Sequence, residues 1–408
     1  MAVISFLMDN REGHIIPSLK LALDLKERGH SVHYLTTLDN EALIRDLGFD
    51  FFPIFREIYP KGFNQVSKTS KDPEALIRVK RTAHLSAIMR GVLDDYIQGN
   101  KSAQLIASAY LNLEMVLLHY RYKIFPVMLT PYTKAPGTTI FDECVNDMLG
   151  FPGDVAAEIV EFVSDTGIDI TSLRDLLQPL NRFHELIPCP QELEIVMPLP
   201  NNRIHYIGPS ISRRQWPGEM PDRARIGEGK KIVYASLGSY ASSYGDVAKD
   251  FYCKLIRVFA LPAAGNLHLI LPVGAGSDPS GPDSLPENVT VLKWASQTEI
   301  LDMASLAITH GGLGTIKESI FYGVPMIVFP VRYDQPWNAD IVCHHGLGIR
   351  GQIGAVTETE LLDKIFYVLG SEEIRENIGK MRKVFQEKEA EGAGVSIVEG
   401  LINGQSGG

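Results

Sequence analysis

Residues 294–335 read WASQTEILDMASLAITHGGLGTIKESIFYGVPMIVFPVRYDQ, and their reading decides the fold. At the centre lies Thr309-His310-Gly311-Gly312-Leu313-Gly314-Thr315-Ile316-Lys317-Glu318-Ser319. An apolar run over 306–309 ends in His310 and a glycine-rich turn, and helical character follows from about 315 to 322. A strand that ends in glycines and opens a helix outlines an anion site. Gly311, Gly312 and Gly314 let backbone approach closely, and the free N–H groups at the helix start point at negative charge. His310 adds a donor at the mouth.

The spacing says more than the turn does. Trp294 lies 16 residues before His310 and Glu318 eight after it. Trp294 offers a flat face for a base. Glu318, on the helix face that opens the turn, can accept from a ribose diol while the helix start, with Gly312, Gly314 and Thr315, holds a diphosphate. Asp334 and Gln335 follow the next strand, 326–330, where the hydroxyls of a sugar would be read.

These pieces together resemble the nucleotide-sugar signature of the UDP-dependent family 1 glycosyltransferases. Those include plant secondary-metabolite enzymes, bacterial macrolide glycosyltransferases and zeaxanthin glucosyltransferases. The resemblance rests on Trp294-Ala295-Ser296-Gln297, His310-Gly311-Gly312, Glu318-Ser319, Gly323-Val324-Pro325 and Asp334-Gln335, five pieces in order. It implies the glycosyltransferase B fold, an α/β architecture of two Rossmann-like domains facing across a cleft. It also implies a UDP-sugar donor, with Gln297 beside the base.

Composition agrees with a soluble, multidomain enzyme. A chain of 408 residues suggests two or three domains, and 45% hydrophobic with 22% charged residues is an ordinary globular balance. A formal charge of −10 speaks against a polyanion-binding surface, so no nucleic-acid partner is expected. Cys144, Cys189, Cys253 and Cys343 are scattered, with neither metal-ligand nor disulfide spacing. No basic n-region precedes the apolar residues 3–8, and no run approaches the roughly 20 residues that span a bilayer. A cytoplasmic enzyme without a membrane span is expected. Oligomeric state is not legible.

Along the chain, short apolar runs alternate with helical patterns, which indicates parallel strands buried on both faces. In the first half the runs are 2–7, 31–36, 104–108 and 125–130, with a helix expected over 18–29. In the second half they are 231–237, 267–272, 289–293, 306–309 and 326–330, with helices at 246–259 and 298–305. The expected division is an N-terminal acceptor-binding domain over 1–209, a Pro-, Gly- and charge-rich linker over 210–230, and a nucleotide-sugar domain over 231–390. Residues 391–408 would pack back on the N-terminal domain, as in the family, and end in a frayed tail. Residues 51–103 and 131–202 show weak strand logic; in the family such insertions line the acceptor pocket.

His14 sits in Gly13-His14-Ile15-Ile16-Pro17, after the first strand, where an imidazole suits general-base work. The resemblance implies that it deprotonates the acceptor hydroxyl in an inverting transfer that displaces UDP. Family members hold this histidine with an aspartate at the end of a later strand; here the matching position is Ser108. A serine can orient an imidazole but stabilises imidazolium poorly. Three readings stay open: another acid (Asp9, Glu114, Asp142 or Glu143) replaces it, the acceptor is acidic enough to need little help, or the chain only binds. Ser239, after strand 231–237, would donate to the diphosphate. The sequence contains no Asp-x-Asp that would hold Mg²⁺ on a diphosphate, and no metal is expected. Asp334 and Gln335 favour a hexose with free hydroxyls, glucose first. Residues 334–336 with 344–348 look more like the carotenoid glucosyltransferases than the plant enzymes, which tilts the acceptor towards a bulky apolar alcohol or polyketide. The rivals to this transferase reading are a quiet UDP-sugar-binding helper protein and a UDP-sugar epimerase of the same architecture.

Overall fold

The computed structural model describes residues 1–70, 73–134, 137–151, 153–196, 201–211, 218–222, 226–274 and 285–405. It divides into two compact units. The first comprises 1–189, 198–210 and 392–408, and the second 190–197 and 211–391.

The first unit is built on seven strands: β1 (Val3–Leu7), β2 (Ser31–Thr36), β3 (Asp50–Pro53), β4 (Gln104–Ser108), β5 (Val127–Leu129), β6 (Glu185–Ile187) and β7 (Ile204–Tyr206). Their order is β3-β2-β1-β4-β5-β6-β7, every pair parallel. β1 is central, with Leu7 opposite Leu35 on one side and Ala107 on the other. Val32, Tyr34, Leu105 and Ile106 beside it are buried, which is why these strands read as apolar runs rather than alternating ones.

The second unit has six strands: β8 (Lys231–Ser236), β9 (Leu267–Pro272), β10 (Val289–Leu292), β11 (Leu306–Thr309), β12 (Met326–Val328) and β13 (Gly348–Arg350). Their order is β10-β9-β8-β11-β12-β13, again all parallel. The helix Asp246–Phe259 covers one face with Phe251, Leu255, Val258 and Phe259.

In each sheet the chain first runs outward to one side and then returns to the other. The reversal falls between β1 and β4 in the first unit, and between β8 and β11 in the second. At such a switch point the loops leaving the two strands diverge and open a crevice beyond their carboxyl ends. His14, Tyr110, Gly238 and His310 all leave these four strands.

Several local expectations change. The helix expected from residue 18 begins at Glu12 and runs to Glu27, with Pro17 inside it, so His14 lies in its first turn rather than in a preceding loop. A proline one and a half turns into a helix removes only one N–H, and the carbonyl that its ring crowds belongs to Gly13, so the helix survives. The strands β3, β6, β7 and β13 were not read as strands; each has only three or four residues, too few for a period. The stretch expected as a linker is tied to the second unit where it is described: Glu219 N–H donates to Trp294 O at 2.7 Å, and Glu219 O accepts from Ser296 N–H at 3.2 Å. Its residues 212–217 and 223–225 lie outside the described residues, as do Ala275, Gly276 and the last three residues of the tail. Gly392, with φ +59°, separates the helix Glu372–Glu391 from the helix Ala393–Gln405. The latter belongs to the first unit. A Cβ on Gly394 would come 3.0 Å from Leu21 Cδ1, and Glu399 accepts from His30 at 3.2 Å.

Candidate active site

His14 is set by three neighbours. Its Nδ1 hydrogen-bonds to Asp9 Oδ2. Asp9 follows β1 and also accepts from Arg11 N–H at 2.9 Å. The ring stacks on Tyr110, just beyond β4, with centroids 3.6 Å apart and planes 8° from parallel. His14 and Asp9 are mostly buried, with side chains 11% and 15% exposed. Burial, the largest influence, lowers the His14 pKa below the ordinary imidazole value, against the charge and hydrogen bond of Asp9. Burial also acts to raise Asp9, but the His14 charge and hydrogen bond together with Arg11 win and lower it. The pair at neutral pH is therefore a carboxylate accepting Nδ1–H from a neutral imidazole, with Nε2 left as a lone pair.

Of the four acids the sequence leaves open, Asp9 is the one at His14. Ser108 is not: its hydroxyl is fully buried at the end of β4 and hydrogen-bonds to none of the described residues. The loop after β4 contributes the Tyr110 platform instead of an acid. Glu143 accepts from Tyr132 OH at 2.5 Å, and Asp142 accepts from Thr139 N–H and hydroxyl at 2.9 and 2.7 Å. Glu114 lines the same cavity as His14. That cavity is about 110 Å³, walled by Met8, Phe55, Tyr59, Tyr110 and Leu111, with Asp9, Arg11, Arg81 and His84 as polar lining.

In the second unit, β11 ends at Thr309 and the helix Leu313–Tyr322 starts three residues after His310. Gly312 is its N-cap and brings no side-chain cap, so the opening N–H groups are left to a ligand. His310 is clamped between glycines. A Cβ on Gly238 would come 2.6 Å from its Cε1, and one on Gly312 2.8 Å from its Nε2. Gly238 also has φ +81° and Gly311 φ +92°, both left-handed. Gly314 is open, with nothing within 4 Å of an added Cβ. Burial lowers the His310 pKa to about 4, against a ring hydrogen bond to the Ser236 backbone, which acts to raise it. A backbone bond that raises an imidazole's pKa is one the ring donates to a carbonyl. Neutral His310 carries one hydrogen and one bare nitrogen, and its Nδ1 lies 3.5 Å from Thr309 Oγ1.

Gln297 ties the nucleoside end together. Its Oε1 accepts from Tyr234 OH at 2.8 Å, and its Nε2 donates to Glu318 and to Thr315 Oγ1, the latter at 3.4 Å. Burial raises the Glu318 pKa, against the Gln297 bond and the Lys317 charge. Trp294 keeps 41% of its surface exposed, enough for a stacking face. Ser239 is half-buried beyond β8, and its side chain hydrogen-bonds to none of the described residues. Asp334 Oδ2 accepts from Asn338 Nδ2 at 2.9 Å, and the same amide donates to Gly311 O at 2.7 Å. Asn338 thereby fastens Asp334 to the glycine turn after β11. Burial raises the Asp334 pKa, against the Asn338 bond. The Gln335 oxygen is taken by Val331 and Arg332 N–H, both at 2.9 Å, and its amide donates to Tyr244 OH at 3.1 Å. Only one amide hydrogen remains for a sugar, so Gln335 is chiefly a loop staple. Tyr234, Tyr244 and Asn338 went unread in the sequence. A tyrosine some 60 to 90 residues from its partner carries no spacing signal.

Among the described residues no three His, Cys, Asp or Glu side chains gather as a metal site, and no helix is long and apolar enough to cross a membrane.

Two all-parallel sheets, each with its crevice at the switch point, have the architecture of the glycosyltransferase B fold. The glycosyltransferase of kitacinnamycin superposes with a TM-score of 0.78 over 98% of both chains, at 24% identity. Residues 196–394 match the family described as UDP-glucoronosyl and UDP-glucosyl transferase. The NDP-glycosyltransferase YjiC of Bacillus subtilis (strain 168) is 25% identical over 93% of this chain and 92% of its own. The oleandomycin glycosyltransferase of Streptomyces antibioticus is 35% identical over 32% of this chain and 28% of its own. Residues 196–394 thus carry the family 1 glycosyltransferase match, and the chain along its length is similar to glycosyltransferases.

Proposed function

We propose that this enzyme transfers a hexose, glucose first, from a UDP-sugar to a hydroxyl of a small, largely apolar natural product, with inversion at the anomeric carbon. The observation that carries this is the Asp9–His14 pair at the wall of a cavity lined by aromatic side chains. His14 Nε2 takes the acceptor's hydroxyl proton. The oxygen bonds to the anomeric carbon as the bond from that carbon to the diphosphate oxygen breaks, and UDP leaves with the electron pair. Asp9 holds the Nδ1 tautomer and stabilises the imidazolium that forms. The helix N-terminus at Leu313 and Ser239 receive the charge developing on the diphosphate. Asp334 holds sugar hydroxyls and Glu318 the ribose.

The acceptor class is supported by the cavity's apolar wall and by the relative named for oleandomycin. The donor base is supported by the UDP-type family match and by Bacillus subtilis relatives named as UDP-glucosyltransferases, whereas the relative YjiC is named for nucleoside diphosphates in general. A binding-only chain loses the feature that suggested it, because Asp9 stands where a carboxylate is needed.

The test is UDP release and glycoside mass with UDP-glucose and a panel of phenols, macrolides and hydroxylated terpenoids, for wild type and His14→Ala. Expected is transfer by wild type and a loss of about 10³-fold in the variant, with UDP still bound. Tight UDP binding with no glycoside, or an undiminished His14→Ala, would overturn the proposal.

A further inference from the structure

The cavity that holds His14 contains a second carboxylate–imidazole pair. Glu114, on the helix Asn112–Tyr122, has a fully buried side chain. His84, on the helix Pro73–Met89, has a side chain 5% exposed, and its Nδ1 lies 3.2 Å from Glu114 Oε1. Arg81, one turn earlier on the same helix, approaches both Glu114 oxygens at 3.4 and 3.5 Å and donates to Asn112 Oδ1 at 3.1 Å. Burial acts to raise the Glu114 pKa, but the Arg81 charge and the His84 hydrogen bond outweigh it and hold it down at about 2. Glu114 is therefore an ionised carboxylate that can only accept. Nδ1 of His84 therefore carries the hydrogen that Glu114 accepts, and Nε2 is the second polar atom of the ring.

That second atom has no protein partner: His84 Nε2 is buried and hydrogen-bonds to none of the described residues. A buried polar nitrogen left unsatisfied is unfavourable. The ring is also locked in place. It meets Phe55 edge-on, with centroids 3.7 Å apart and planes at 88°, and Tyr59 at 6.1 Å and 89°. Glu114, Arg81 and Asn112 with the rings of Phe55 and Tyr59 hold the His84 ring at the wall of this cavity. The folded chain gains nothing visible from this arrangement, whereas a ligand that brings a donor would.

We infer that His84 Nε2 receives a second hydroxyl of the acceptor, so that the preferred substrates are aromatic or polycyclic diols rather than mono-alcohols. One hydroxyl goes to His14 and is glycosylated; the other donates to His84 and sets the pose. His84 is thus a specificity-determining residue, and the Arg81–Glu114 pair fixes its tautomer without adding net charge. This rests on the transferase reading above, since it assigns the cavity to the acceptor.

The experiment is calorimetric binding, followed by glycoside formation with UDP-glucose, for 2-naphthol and its dihydroxynaphthalene isomers on the full chain. Wild type, His84→Phe and His84→Gln are compared, with thermal unfolding run alongside. At least one diol isomer should bind about 10–100-fold more tightly than 2-naphthol. His84→Phe should bring that ratio to about one. His84→Gln, which keeps an acceptor oxygen, should retain part of it. No diol preference in wild type would overturn the inference, as would a ratio unchanged in His84→Phe, which would mean that only a water sits on Nε2. Loss of binding to diol and mono-alcohol alike would show a structural histidine. A diol preference abolished by His84→Phe with no glycoside formed from any pair would sink the transferase reading and leave the diol subsite standing.

Discussion

His14 and His310 both lie beyond strands that border the switch points of their sheets, His14 in the helix after β1 and His310 directly after β11. His14 is buried and His310 half-buried, and both have lowered pKa values. Their partners differ. His14 gives its proton to a carboxylate, Asp9, and His310 to a backbone carbonyl, that of Ser236. A carboxylate orients the ring and also stabilises the cation, so a neutral imidazole can take a proton at the moment of reaction. A carbonyl orients the ring but offers only a dipole. On the proposed reading, the same side chain is a base in one unit, while in the other its charge waits for the ligand to arrive.

The sharpest way to break this comparison is to remove the charge from the first partner. Asp9→Asn keeps the size but offers Nδ1 an amide, which favours the wrong tautomer. We expect kcat to fall by about 10³–10⁴-fold with UDP affinity unchanged. Ser108→Ala serves as the matched control from the position where a family aspartate would stand, and its effect on kcat should stay within about twofold, since the hydroxyl touches nothing that reacts. Steady-state kinetics on the two variants decides it. If Ser108→Ala were the more damaging, the assignment of Asp9 would be wrong.

A smaller effect is expected from the glycines that clamp His310. Gly312→Ala and Gly238→Ala would each place a methyl carbon within 2.8 Å of the ring. Gly238 would carry the further strain of a left-handed φ. Each should cost about 1–3 kcal/mol of stability and weaken UDP-sugar binding by roughly the same free energy, or about 5–150-fold. Gly314→Ala is the internal comparison: its Cβ meets nothing, it lies in a helix, and it should leave the unfolding temperature unchanged or raised. Thermal unfolding and calorimetry on the three proteins would show whether crowding of the ring matters or glycine content alone.

The difference between the two regions also explains what could be read from the chain. The nucleotide side is assembled from residues 294–338, where strand, glycine turn and helix follow one another, so spacing alone places Trp294, Gln297, His310, Thr315 and Glu318 in order. A diphosphate is held by backbone and a helix start, and both leave a local signature. The cavity at His14, proposed for the acceptor, draws on residues near 9–14, 37, 55–59, 81–84 and 110–114. Only folding brings these together, and no periodicity marks them. Asp9 was in view as one of four acids but not singled out, because His14 was read in a loop when it lies in a helix turn facing back over β1. Ser108 was matched by its place at the end of β4, and that match was sound as a place but not as a contact. Gln335 was read for its chemistry, whereas the loop 331–332 consumes most of it. Asn338, which links Asp334 to Gly311, has no signature at all: an asparagine in a helix looks the same whether or not it bridges two turns.

The smallest effect is a proton count, and it separates the two histidines most directly. Free His310 has a pKa of about 4 and so is neutral near pH 7, with one hydrogen and one bare nitrogen. A diphosphate oxygen placed against its bare nitrogen meets lone pair with lone pair unless the ring gains a proton. The phosphate charge favours that gain, as an anion within a few ångströms raises an imidazole's pKa. UDP-glucose should therefore bind with uptake of a fraction of a proton, up to one, and its affinity should rise as the pH falls from 8 towards 5. UDP-glucose is the better probe than UDP, because a diphosphate esterified at both ends has no oxygen that titrates in this range. Calorimetry at pH 6 in buffers of different ionisation enthalpy reads the uptake directly, and His310→Asn should abolish it. His14, whose cation is stabilised by Asp9 rather than by the donor, should contribute nothing to this count, so His14→Ala should bind UDP-glucose with the same uptake as wild type. Uptake lost in His14→Ala and kept in His310→Asn would exchange the roles assigned to the two rings.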